Sequence, residues 1–166
     1  TPQPQPSPAL PPSAGSGLTF AATADAQVKS DSPTKNFGTL TSLRVREDAT
    51  AGSYRTYLTF TVTGLTGPAT STKLRLYVTS SGDGGSVYPV TSTWQESTIT
   101  WATAPTITGL PLASLGAVKP GTWIEIDLGT TVTGNGTYSL ALMSTSPNGT
   151  FYSSREGGNA PTLVVS

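Results

Sequence analysis

Arg44 and Arg46 flank Val45, and alternate residues of an extended chain project to one side, so the two guanidinium groups begin a cationic strip. Glu47 and Asp48 follow at once, which opens the opposite reading: a solvated outer face with cross-strand ion pairs of ordinary surface value. Carboxylates of the kind a glycosidase or lyase needs stand at Asp25, Asp31, Glu96, Glu125 and Asp127, yet nothing in the sequence pairs an acid with a base. The chain has neither histidine nor cysteine, which removes the usual neutral-pH proton shuttle, the commonest metal ligand and every disulfide. It also has no nucleophile elbow, phosphate loop or dinucleotide fingerprint. The expectation is a protein that is not an enzyme and carries no cofactor, the one ion to consider being a structural calcium with oxygen ligands from Asp25 and Glu156.

Three tryptophans offer flat apolar platforms with a polar handle. Trp94 and Trp101 bracket a threonine-rich extended stretch and read as packing of a long connection against the fold. Trp123 falls on the wet face of its predicted strand beside Glu125 and Asp127. Tyr57 and Tyr77 are also predicted to face outward, so Tyr57, Tyr77 and Trp123 are expected to form an aromatic contact patch suited to a glycan or to another subunit. Arg155 and Glu156 are neighbours that a strand would send to opposite faces; they read as structural, with Arg155→Ala costly if it strands a buried charge.

The elements that must position these groups are strands. Period-2 alternation recurs in Tyr57–Val62, Lys73–Val78, Trp123–Leu128, Tyr138–Leu142 and Thr162–Val165, each with one apolar and one wet face. Asn135-Gly136 and Asn148-Gly149 lie between such runs and read as hairpin turns. No stretch has helical periodicity with caps. Together these predict an all-β, two-sheet antiparallel β-sandwich, jelly-roll-like in its strand count, over residues 18–166.

Residues 1–17 differ in kind: an uncharged arm with proline at nearly every second position, biased toward extended polyproline II. Proline lacks the amide donor of a central strand, but such an arm can lie in an aromatic-lined groove or against a sheet edge of a neighbouring copy. Pro2, Pro4, Pro6, Pro8, Leu10, Pro11 and Pro12 are the candidate contacts, and a filament or fibre subunit assembled through them is the first functional expectation. Charge is balanced and sparse, so nucleic acid is not an expected partner, and no apolar run is long enough for membrane insertion.

Several short motifs, in order, carry a family resemblance. Ala24-Asp25-Ala26-Gln27-Val28, Asn36-Phe37-Gly38 and Leu43-Arg44-Val45-Arg46-Glu47 form the opening. Tyr57-Leu58-Thr59-Phe60, Lys73-Leu74-Arg75-Leu76-Tyr77, Trp94-Gln95-Glu96, Thr100-Trp101, Gly121-Thr122-Trp123, Ser153-Ser154-Arg155-Glu156 and Asn159-Ala160-Pro161 follow. From about Phe20 to Ser166 the chain resembles the DNRLRE-type domain, a secreted bacterial and archaeal β-sandwich family grouped with alginate-type carbohydrate-binding modules. The resemblance implies a non-catalytic, extracellular or cell-surface module. It also implies the second functional expectation, a module tethered by the arm that binds acidic, alginate-like polysaccharide. Lys29, Lys35, Arg44 and Arg46 are then the candidates to meet sugar carboxylates.

Overall fold

A computed structural model of the chain describes residues 17–166. Thirteen strands follow in order: β1 (Leu18–Ala21), β2 (Ala24–Lys29), β3 (Ser42–Val45), β4 (Tyr54–Val62), β5 (Thr72–Val78), β6 (Gly82–Asp83), β7 (Ser86–Val90), β8 (Ala113–Ser114), β9 (Ala117–Val118), β10 (Thr122–Asp127), β11 (Gly136–Met143), β12 (Thr150–Ser153) and β13 (Thr162–Val165). The first sheet runs β1-β13-β5-β12-β3, with β10 on the other side of β5; the second runs β2-β4-β11-β7-β8. β6 and β9 form a separate two-stranded ribbon. All strand pairs are antiparallel, and from β2 to β5 and again from β10 to β12 successive strands cross from one sheet to the other. The architecture is the expected β-sandwich, and its only helical element among the described residues is a 3-10 turn at Arg155–Gly157.

Alternation explains the core. On β5, Leu74, Leu76 and Val78 are buried while Lys73, Arg75 and Tyr77 face outward, and β10 repeats the scheme in register, Trp123 opposite Tyr77 and Glu125 opposite Arg75. These inward aliphatics meet Leu58, Phe60, Val62, Leu140 and Leu142 of the second sheet. Apolar burial of this extent, at roughly 25 cal/mol per Å², is the main favourable term of folding.

One outer face is not wet. The second sheet carries an additional apolar layer in which Trp94, Trp101, Ala104 and Ile107, from the long connection between β7 and β8, cover Ala26, Val28, Tyr57 and Ala141. Tyr57 is therefore fully buried, its ring edge-on to Trp94 at 6.0 Å and its hydroxyl donating to the Pro105 carbonyl at 2.8 Å. This corrects the expectation that Tyr57 joins an exposed patch: it does point away from the sandwich, but the connection lies over it.

The Asn-Gly pairs are not hairpins either, because β10 to β11 and β11 to β12 are crossings between sheets. Asn135 instead clamps the Leu65 backbone, accepting from its amide at 2.9 Å and donating to its carbonyl at 3.2 Å. Gly149 serves close approach rather than positive φ: a Cβ there would stand 1.7 Å from the Val45 carbonyl oxygen.

Candidate functional site

Lys29, Arg44 and Arg46 come from β2, β3 and the residue after β3, and they meet on one ring. The Arg44 guanidinium lies 4.6 Å from the centroid of Tyr54 and 4.6 Å from that of Phe151, so it is held between two aromatic faces. Arg46 stands 5.2 Å and the Lys29 ammonium 5.5 Å from the same Tyr54 ring. Local pairing produces this convergence: Tyr54 opens β4, lies opposite Lys29 in the β2 register and bridges Arg46, while Phe151 lies opposite Arg44.

The three cations differ in how their charge is met. Lys29 is paired with Asp31 at 3.0 Å, which together with the Tyr54 contact holds its pKa above the ordinary lysine value. Arg46 donates to the Gly52 carbonyl at 3.0 and 2.7 Å and also to that of Ala51. Neither Arg44 nor Arg46 has a carboxylate oxygen within 4.0 Å among the described residues, and the buried Nε of Arg44 has no hydrogen-bond partner among them. Lys35 is not among the cations on Tyr54 and rests instead on Phe37 at 5.3 Å.

Across the first sheet, Tyr77 and Trp123 form the remaining pair of the expected aromatic patch, edge to face at 5.4 Å, with Arg75 at 5.1 Å from the Trp123 ring. Trp123 is 41% exposed. Arg75, Lys73 and Glu125 also line a depression of about 390 Å³ beside β1 and β13. Both of its cations share the one carboxylate of Glu125, Lys73 at 2.8 Å and Arg75 at 3.8 Å, so each already has a carboxylate beside it.

A carboxylate group forms where β2, the long connection and the 3-10 turn meet. Glu96 receives the Asp25 amide at 2.9 Å and the Arg155 guanidinium at 3.0 and 2.9 Å on its two oxygens. The Arg155 amide donates to Asp25 Oδ2 at 2.8 Å, and Ser154 caps the turn by accepting from the Glu156 amide. Burial pushes the Asp25 carboxyl up to about 7; the Arg155 amide opposes that rise, and the charges of Glu156 and Glu96 add to it. Arg155 and Glu156 are thus in a turn, not on opposite faces of a strand, and Glu96 is the partner that sequence spacing did not reveal.

The arm residues Pro2, Pro4, Pro6, Pro8, Leu10, Pro11 and Pro12 lie outside the described residues. Self-assembly through them has no support from the family comparison or from the described fold. The described fold is thus a β-sandwich with a basic, aromatic-backed strip along one edge. Residues 17–166 match the family model of carbohydrate-binding module family 96, and the chain belongs to that family. The match supports the carbohydrate-binding side of the resemblance and leaves the DNRLRE-type label without separate support. No curated protein matches the chain.

Proposed function

We propose that the chain is a non-catalytic, extracellular module that binds an acidic, uronate-bearing polysaccharide through Arg44 and Arg46, with Lys29, already paired with Asp31, beside them on Tyr54. One observation carries the reading: Arg44 is gripped between Tyr54 and Phe151 with no carboxylate in reach among the described residues. A guanidinium fixed within 4.6 Å of two ring centroids is held in place, and its terminal N–H donors can receive a carboxylate in the two-pronged geometry that arginine favours and lysine cannot copy. Tyr54 is only 9% exposed, so it positions the cations rather than stacking on sugar. Trp123 is the more exposed ring, but both of its neighbouring cations already have the Glu125 carboxylate beside them, whereas Arg44 and Arg46 have none in reach among the described residues, which favours the Tyr54 group for an anionic chain.

The test is calorimetric titration of the whole chain with polymannuronate and with a neutral glucan at two salt concentrations. A charge-assisted hydrogen bond is worth about 1.5–3 kcal/mol, so Arg44→Ala is expected to weaken polyuronate binding roughly ten- to a hundredfold. Raised salt should weaken the parent as well. Equal affinity for the neutral glucan, or polyuronate binding indifferent to Arg44→Ala, overturns the reading.

A further inference from the structure

A buried carboxylate must find partners, and Asp25 finds them on one oxygen alone. The residue is 1% exposed; Oδ2 accepts from the Arg155 amide, while the buried Oδ1 has no hydrogen-bond partner among the described residues. Leaving such an atom unpaired is costly. Asp25, Glu96 and Glu156 each bring an oxygen to a place where the three lie within 4.8 Å of one another. From these facts we propose that Asp25, Glu96 and Glu156 bind a divalent cation of calcium size, tying β2, the long connection and the 3-10 turn together.

Charge, ligand type and size agree. With Asp25 ionised, as a bound cation would hold it, three carboxylates against the single guanidinium of Arg155 leave two negative charges in excess, which is the charge of one divalent ion. The ligands are all hard oxygens, which suit calcium or magnesium over zinc or copper. Opposite ligands around calcium stand about 4.6–5.2 Å apart, so three oxygens no more than 4.8 Å from one another lie within the span of a calcium shell. Arg155 reaches both oxygens of Glu96 at 3.0 and 2.9 Å and stands 3.9 Å from Glu156, while the Asp25 amide donates to Glu96, so these contacts hold the three acidic residues together. The rival is a proton on Asp25, which neutralises one charge and needs no metal.

The experiment uses the full chain stripped with a chelator and titrated with calcium chloride in the absence of polysaccharide, so its outcome does not depend on glycan binding. Calorimetry should count one ion per chain. Thermal unfolding should shift up by about 5–10 °C at calcium a hundredfold above its dissociation constant. Glu156→Gln, in a partly exposed side chain of the turn, should lose most of that shift while melting no lower than the parent in chelator. Magnesium should give a smaller rise. Absence of heat and of any shift up to millimolar calcium overturns the proposal, as does a shift left intact by both Glu156→Gln and Glu96→Gln.

Discussion

At the scale of single residues, the candidate strip depends on a loop that supplies none of its cations. Asp48 Oδ1 accepts from the Thr50 amide at 2.9 Å and the Ala51 amide at 2.8 Å, and the loop so fixed presents the Ala51 and Gly52 carbonyls to Arg46. Those amides, Ala51 first, hold the Asp48 carboxyl below the ordinary aspartate value. A carboxylate with a depressed folded-state pKa gives its stabilisation in full above the unfolded value and loses it as pH falls through the folded one. The loop should therefore stay closed at neutral pH and loosen only in acid below the usual aspartate range, seen as collapse of the Thr50 and Ala51 amide shifts in an NMR titration. Asp48→Ala should produce the loosened spectrum at neutral pH and weaken polyuronate binding by less than Arg44→Ala does, because Arg46 loses its anchor but keeps its charge. The cations of this strip were legible in the sequence, since alternation about Val45 places Arg44 and Arg46 together. Tyr54 and Phe151 were not, because the rings reach Arg44 only after two sheets have formed.

At the scale of elements, β4 shows why a pattern of alternation can be read correctly and still mislead. Its pairing sets Tyr57 opposite Ala26 on one side and Ala141 on the other, and these small residues leave room for the tyrosine ring and for the connection that covers it. Alanines on a supposedly wet face were the available signal that something lies over it; the tryptophans of the connection supplied the other half. Tyr57→Phe removes only the bond to the Pro105 carbonyl and should cost about 1 kcal/mol, whereas Tyr57→Ala opens a cavity beneath Trp94 and should cost about 3–5 kcal/mol, both measured by denaturant unfolding. Gly149 gives a sharper case. Sequence reading assigned it to a hairpin because Asn-Gly is so often one, but its neighbours in space belong to β3 and only the fold brings the Val45 carbonyl against it. Gly149→Ala forces backbone apart and should leave little folded protein, judged by circular dichroism and by recovery in soluble form.

At the scale of the whole molecule, two cationic patches lie on the first sheet, a first surface at Lys73, Arg75 and Trp123 of β5 and β10 and a second at Arg44 and Phe151 of β3 and β12, and the functional reading depends on their being separable. Fold class was legible because period-2 patterning is a local property repeated along the chain, and the two sheets follow from the need to cover each apolar face. Which surface meets a ligand was not legible, because that depends on whether each cation already has a carboxylate beside it. Lys73 and Arg75 do, in Glu125; Arg44 and Arg46 do not among the described residues. Removing Trp123, the most exposed ring of the first surface, with Trp123→Ala should accordingly leave polyuronate affinity within about twofold of the parent, a change of under about 0.5 kcal/mol. A chain beginning at Leu18 should likewise keep both its melting temperature and its affinity, since Arg44, Tyr54 and Phe151 all belong to the sandwich. Light scattering on the two chain lengths, run beside the titrations, gives the complementary answer. Equal monomeric masses and equal affinities leave the arm as a spacer, whereas larger particles from the full chain alone would restore a role for the arm in joining copies and would make the polysaccharide strip one of two functions.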